Sequence, residues 1–419
     1  MILAHGQLYE NKEQDSIIAS LQDAICETLN APKPDIEEVI LACDRLSKRA
    51  ANGEFDGIAK PLLDFVQVPY ETYLDYCKMF SATELRKKVE SELCGLPERE
   101  TQVSEHLFRE RRPLGVLLHI AAGNVDALPA YSVVEGLLTG NINLLKLPTG
   151  DSGVSVRLLS ELIAECPALK EYIYVFDVPS TEIETIKTLA ALSDGVVVWG
   201  GDAAVRAAHR FIEPNTKLIV WGHKLSFAYA TPDCPDEMLG ALAADICKTN
   251  QLLCSSCQGI FVDTDDAERL RSFGARFFEI LKRENRKYGK APRGMRAKNT
   301  LKLYDDKLEQ RGTVFSEEGV SVVLRDGCEL ELSYLFRNVW VKALPKEKIL
   351  SALKCKKGYL QSCALLVPNG DEKERIIELL KWAGLTRITG PSTSVMLFGE
   401  AHDGTFALRE YSRIVDVFR

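Results

Sequence analysis

Cys254 lies in the segment TNQLLCSSCQGIFV, residues 249–262, where a helix predicted to end near Asn250 gives way to a short polar loop and then to a strand from Gly259. A cysteine on such a loop is partly exposed, and backbone N–H groups beside it favour the thiolate, the nucleophilic form. Cys257 completes a C-x-x-C, which leaves a redox dithiol or half of a zinc site open. No second ligand pair stands at suitable spacing, and the order of elements is not the strand–motif–helix of thioredoxin. In residues 112–151 a predicted strand ends at Ala121-Ala122-Gly123-Asn124 and a helix follows. Small residues let the backbone approach a ligand, and the Asn124 amide can donate to a developing oxyanion; a plain strand-to-helix turn explains the pattern equally well. Lys146 ends the next strand, placed for a ribose or phosphate unless it is simply a solvated strand end. Gly200 and Gly201 follow a strand and open a helix, an arrangement suited to a pyrophosphate, although the full G-x-G-x-x-G spacing is absent. Residues 217–230 read as a strand, a break at Gly222-His223-Lys224 and a second strand, as at a crossing between domains.

These residues need elements to hold them. Residues 14–110 carry apolar positions at helical spacing, as in Ile17, Ile18, Leu21 and Ile25. From Arg112 short Val/Ile/Leu-rich runs alternate with amphipathic stretches. Strands are predicted at 113–120, 143–147, 172–178, 195–199 and 217–221, with helices at 127–139, 152–165, 180–193 and 202–212. That alternation implies an α/β fold with a parallel sheet covered on both faces, which binds ligands at the carboxyl ends of its strands. A second series follows, with strands at 226–230 and 259–262, helices at 236–249 and 266–282, and later strands at 320–324, 338–343 and 362–367. Residues 283–299, RENRKYGKAPRGMRAKN, read as a basic, loop-like and solvated surface segment, with a polyphosphate-binding loop as the alternative.

A chain of 419 residues is too long for one ordinary core, so two or three domains are expected. A net charge of −8 and the lack of a basic stripe with interleaved aromatics argue against a nucleic-acid partner. No apolar run approaches the roughly 20 residues that a bilayer span requires, and residues 1–10 do not look like a secretory signal. The 12 cysteines therefore read as reduced thiols of a cytoplasmic protein, with Cys26, Cys43, Cys77 and Cys166 as small core residues.

Taken in order, RPLGVLLHI…GN, TGNINLLKLP, WGGDAAVRAA, NQLLCSSCQG and the C-terminal AHDGTFALREYSRIV resemble the aldehyde dehydrogenase superfamily. More narrowly they resemble its acyl-CoA reductase branch, the LuxC-like fatty acyl-CoA reductases. The resemblance runs from about residue 60 to the C-terminus. It implies a Rossmann-type cofactor domain plus an α/β catalytic domain, preceded by a helical N-terminal segment. The implied boundaries are 1–225 for the helical segment and cofactor domain, 226–395 for the cysteine domain, and 396–419 for a segment returning to the cofactor and oligomerisation region. It also implies Cys254 as nucleophile, Asn124 as oxyanion donor, Lys146 as cofactor-contacting lysine, Gly200-Gly201 as the cofactor turn, and Cys257 as a substitution at the family's proline position. No metal is implied.

Two departures bear on chemistry. Hydrolytic relatives carry a glutamate where this chain has Val220, in the stretch Val220-Trp221-Gly222-His223-Lys224, and an apolar residue cannot activate water. Thioester exchange and reduction is then the expected reaction, with His223 as a candidate acid or base unless it is structural. A CoA-acylating aldehyde dehydrogenase working in the oxidative direction is the alternative. Thr149 stands where many NAD-preferring relatives have a glutamate, which points to NADPH, with NADH as the other choice. The expected partners are acyl-CoA or another acyl thioester, an acyl-protein synthetase or carrier protein, and further copies in a homodimer or homotetramer.

Overall fold

The computed structural model describes residues 1–66, 69–123, 127–394 and 399–419. The chain opens with a hairpin of β1 (Ile2–Ala4) and β2 (Gln7–Tyr9), whose two turn residues, His5 and Gly6, both take positive φ as a tight hairpin requires. Five helices follow: α1 (Gln14–Asn30), α2 (Ile36–Ala51), α3 (Asp56–Val66), α4 (Tyr70–Lys78) and α5 (Ala82–Leu93). Their existence is written locally. In α1 the residues Ile17, Leu21, Ile25 and Thr28 make one buried stripe, and α2 is capped by the Asp35 carboxylate on the Glu37 N–H, with Lys48 and Arg49 in its last turn.

The expectation of helix through residue 110 fails after Leu93. The chain instead forms β3 (Thr101–Gln102) and β4 (Leu107–Pro113), because β4 pairs antiparallel along its length with the last strand of the chain, β17 (Ser412–Phe418). A partner some three hundred residues away is invisible to a local reading. Next come β5 (Val116–Ile120), α6 (Leu128–Leu137), β6 (Ile142–Lys146), α7 (Val154–Glu165), β7 (Ile173–Phe176), α8 (Ile183–Ala191), β8 (Gly195–Trp199), α9 (Asp202–Ala208) and β9 (Lys217–Trp221). The sheet order is β2-β1-β7-β6-β5-β8-β9, with β5 to β9 parallel and β1 antiparallel to β7.

The second series is β10 (Leu225–Ala230), α10 (Asp236–Thr249), β11 (Cys257–Val262), α11 (Ala267–Asn285), α12 (Arg293–Leu308), β12 (Thr313–Glu317), β13 (Val320–Leu324), β14 (Asn338–Ala343), α13 (Ile349–Leu353), β15 (Leu360–Leu366), α14 (Asp371–Ala383) and β16 (Arg387–Thr389). Its sheet runs β12-β13-β14-β11-β10-β15-β16, parallel apart from β12. The basic segment 283–299 is a loop only over residues 286–292: α11 continues to Asn285 and α12 begins at Arg293. The chain ends with α15 (Ala407–Glu410), where α15 follows α14 in order, and β17.

Two compact units result. The first comprises residues 1–58, 74–222 and 397–419, and the second 59–73 and 223–396. In the first, buried Leu118, Leu144, Val175 and Val198 on the sheet pack with Leu21, Leu85 and Leu159 from helices. In the second, Ile260, Val341 and Ala364 pack with Leu242 and Phe277 on one side of the sheet, and Phe227, Phe261 and Leu365 with Ile376 and Leu380 on the other. Each parallel sheet is thus buried on both faces, as near-continuous apolar strands require. Cys43, Cys77 and Cys166 are buried as expected, whereas Cys26 is exposed on α1. Among the described residues no helix is long and apolar enough to cross a membrane, and no cluster of His, Cys, Asp and Glu could hold a metal ion.

Candidate active site

Within the second unit Cys254 is exposed on the loop between α10 and β11. The Gln361 side-chain amide on β15 donates to its Sγ at 3.4 Å, and Ser226 on β10 donates its hydroxyl to the Cys254 carbonyl at 2.9 Å. Ser226 also accepts from the Ser362 N–H at 3.1 Å, so strands β10 and β15 both hold the thiol's loop.

The root of that loop is strained and heavily supported. Asn250 and Gln251 are buried, non-glycine and left-handed, with φ of 49° and 63°. Against them lies a second left-handed run, Leu335, Phe336 and Arg337, with φ of 61°, 49° and 68°. Phe336 N–H donates to the Asn250 carbonyl at 2.9 Å, Arg337 Nε to Asn250 Oδ1 at 2.9 Å, and Asn338 N–H to Gln251 Oε1 at 3.1 Å. Gln251 Nε2 donates in turn to the Cys257 carbonyl at 3.0 Å. Backbone in these regions persists only when its surroundings over-determine it, and here they do. Arg337 is itself buried, and burial lowers its pKa, yet it stays a cation satisfied by two neutral amides, Asn250 and Asn285, beneath the Tyr288 ring. Nothing in the sequence marks Arg337, because its partners come from α10 and α11.

Cys257 is fully buried, its Sγ lies 3.2 Å from the Gly259 carbonyl, and burial pushes its thiol well above the usual range. Such a thiol is inert, and both cysteines are free. The C-x-x-C spacing joins one exposed sulfur to one core residue.

In the first unit the carboxyl ends of the sheet collect the other candidates. Register aligns Ile120 with Lys146 and Lys146 with Phe176, and Trp199 with Trp221. Lys146 is buried, and burial pushes its ammonium below the usual range while the Asp177 carboxylate acts the other way. Thr149 is exposed in the turn that follows. Asn124 lies outside the described residues; Gly123 before it has Pro148 Cβ at 3.1 Å from where a Cβ would stand. Gly200 would bring a Cβ to 3.0 Å from Ala204 Cβ, a packing reason for glycine, whereas Gly201, the N-cap of α9, has open space there. Asp202 begins α9 and pairs with Arg206 at 3.8 Å, so a carboxylate already faces the dipole of that helix end. Val220 is exposed on β9, and His223, the first residue of the second unit's long segment, is exposed as well.

A cluster that no motif disclosed sits at the same sheet edge. His402, from the His402-Asp403-Gly404 turn, packs its ring against Trp221 at 5.0 Å and Trp199 at 5.5 Å between centroids. Trp199 Nε1 donates to Ser132 Oγ at 2.9 Å, Ser132 lies 2.7 Å from His119 Nδ1, and His119 Nε2 lies 3.0 Å from Asn143 Oδ1. Since Asn143 Oδ1 only accepts, Nε2 carries the proton, Nδ1 accepts from Ser132, and every member is satisfied. Burial lowers the His119 pKa to about 4, so the imidazole is neutral.

A family model described as "Acyl-CoA reductase (LuxC)" matches residues 31–414. The chain belongs to this family. Among LuxC relatives, the long-chain acyl-protein thioester reductase of Aliivibrio fischeri is 27% identical over 164 residues, 38% of this chain and 34% of that protein. That of Vibrio harveyi is 28% identical over 163 residues, again 38% and 34%. The matched segment therefore spans about a third of the length of these LuxC relatives. Solved structures with the same fold include the lactaldehyde dehydrogenase of Escherichia coli, with a TM-score of 0.72, 15% identity, and coverage of 98% of this chain and 92% of that one. PnpE in complex with nicotinamide adenine dinucleotide gives a TM-score of 0.70, 15% identity, and coverage of 98% and 90%. The fold of this LuxC-family chain is thus that of the aldehyde dehydrogenases.

Proposed function

We propose that the protein reduces an acyl thioester to the aldehyde with a reduced nicotinamide cofactor, through a thioacyl-enzyme on Cys254. The observation that carries the reading is an exposed thiol, contacted by the Gln361 amide, on a loop whose root is locked by two opposed left-handed runs. Such a thiol is presented rather than packed, which is what a covalent nucleophile needs. In the first step Cys254 Sγ attacks the thioester carbonyl and the carrier thiolate leaves, so the acyl group moves from one sulfur to another. An amide N–H beside the sulfur favours its anionic form before attack and after product release. Asn124 is proposed as the donor to the oxyanion, an interaction typically worth roughly 3–4 kcal/mol of barrier. Val220 contributes no base for water at the position where hydrolytic relatives have one, which protects the thioacyl group. His223, exposed, is proposed as the acid or base.

A buried ammonium at a sheet's carboxyl edge, Lys146, is suited to ribose hydroxyls or a phosphate, and exposed Thr149 beside it would not repel a 2′-phosphate. Open backbone at Gly201 suits a pyrophosphate, and Gly200 shapes that turn. When bound, the reduced nicotinamide supplies the hydride that takes the thioacyl carbon to the aldehyde level; NADPH is proposed over NADH. The relatives are named for acyl-protein thioesters. A fatty acyl group delivered as acyl-CoA, or on a carrier or synthetase partner, to a cytoplasmic homo-oligomer is accordingly proposed for this chain too. The test is oxidation of NADPH and NADH with acyl-CoA thioesters of increasing length, in wild type and Cys254→Ala. Aldehyde equal to cofactor consumed in wild type is expected. The variant should lose both acylation and reduction while still binding NADPH; full activity in it would remove Cys254 from the chemistry.

A further inference from the structure

Helix α12 has one face on the protein and another that is apolar and open. Asn299, Leu303 and Asp306 are buried, with Asn299 Nδ2 donating to the Leu335 carbonyl at 3.1 Å and Asp306 accepting from Tyr334 Oη at 2.8 Å and Arg325 at 3.0 Å. Opposite them Leu301, Tyr304 and Leu308, three and four residues apart, are 71%, 61% and 80% exposed. Ala297 continues the row by one turn. Single exposed apolar residues need no explanation, but three large ones aligned on one helix face do.

The stretch of chain that leads into this helix, and its first turns, are cationic. Between Arg283 and Lys298 seven lysines and arginines stand against one glutamate, in a chain whose net charge is −8. Some are neutralised: Arg286 pairs with Glu318 at 2.8 Å and Lys287 with Glu284 at 2.8 Å. Arg283, Lys290, Arg293 and Lys298 are exposed and belong to no ion pair among the described residues. Of the acids next to the row, Asp305 is matched by Arg311 at 3.0 Å, and Glu309, beside Leu308, is exposed and in no ion pair among the described residues.

We infer that α12 is an interfacial helix that seats the protein on an anionic lipid surface, with Leu301, Tyr304 and Leu308 entering the headgroup region and the four unpaired cations meeting lipid phosphates. Charge complementarity selects the occupant. The cations are strung along the chain that leads into and through a helix with an open apolar row, which matches a diffuse anionic plane with an apolar layer beneath it. The helix is anchored to the 334–337 segment that also braces Asn250, so the lipid-facing helix and the root of the Cys254 loop share one support. The inference goes beyond the proposed reaction and does not depend on it, because binding is read without turnover.

The test is co-sedimentation of the full chain with phosphatidylcholine–phosphatidylglycerol vesicles and with phosphatidylcholine vesicles. Pelleting with the anionic vesicles alone, weakened by added salt, is expected. Leu301→Ser/Tyr304→Ser/Leu308→Ser and Arg283→Gln/Lys290→Gln/Arg293→Gln/Lys298→Gln should each weaken partitioning roughly tenfold or more. Unchanged Cys254 alkylation and circular dichroism would show both variants folded. The inference is overturned by failure to pellet with anionic vesicles, by equal pelleting with neutral ones, or by undiminished binding in either folded variant.

Discussion

At the scale of single residues, Gln361 and His119 show how a side chain acquires its role from what it touches. The Gln361 amide reaches Cys254 Sγ from β15, and Gln361→Leu keeps much of the volume while removing the donor. A hydrogen bond of this kind is worth about 1 kcal/mol, so alkylation of Cys254 by iodoacetamide at neutral pH should slow roughly fivefold. An unchanged rate would mean that Gln361 only packs. His119 is neutral because burial holds its pKa near 4, while the unfolded chain titrates near 6.5. Below about 6.5 the unfolded state binds a proton that the fold refuses, so this contribution to stability is intact above that pH and is lost as pH falls towards 4. The depression corresponds to roughly 3 kcal/mol. Denaturant unfolding at pH 7 and pH 5 should therefore show a smaller loss in His119→Gln than in wild type; equal losses would acquit the imidazole.

At the scale of elements, the nucleophile loop is a joint among α10, β11 and the 335–337 run rather than a property of the C-x-x-C stretch. Arg337 joins them, with its fork on Asn250 and Asn285. Arg337→Met would fill similar space but take a donor from two side-chain amide oxygens, that of buried Asn250 and that of half-buried Asn285. We expect a loss on the order of 2–4 kcal/mol in denaturant unfolding, together with altered Cys254 alkylation, whereas a distant surface substitution stays within about half a kcal/mol. Stability unchanged within that smaller margin would show that water or a neighbour replaces the guanidinium.

At the scale of the molecule, each unit is assembled from distant pieces of chain. The last strand, β17, pairs with β4 from Ser412 opposite Pro113 to Phe418 opposite Leu107. Nearby, Leu408 N–H donates to the Glu92 carboxylate at 2.9 Å, and Glu92 also meets buried Lys88. Asn141 Nδ2 donates to the Tyr411 carbonyl at 3.0 Å. Deleting residues 400–419 would strip β4 of its partner and expose this charged cluster. Limited proteolysis should then cut within residues 1–222 at least tenfold faster than in the full chain, as expected when a core element is lost. Equal protection would mean that the C-terminal segment is an ornament.

Much was legible in the residues themselves. Alternating apolar runs and amphipathic stretches determined the α/β class, five parallel strands of the first sheet and most of the second, because a strand buried on both faces must be apolar throughout. The loop carrying Cys254 was equally readable from a helix end, polar residues and a following strand. Tertiary structure alone decided which sulfur of the C-x-x-C is exposed, since burial depends on the core that closes over Cys257. It also decided that residues 107–113 are strand and that 293–308 are helix, the first through pairing with β17 and the second through Asn299, Leu303 and Asp306 packing within the second unit. The His402, Trp199 and Trp221 cluster, and Arg337 beneath Asn250, were likewise out of reach. Periodicity reports the face an element turns to its core; it carries no information about which remote residue will complete that face.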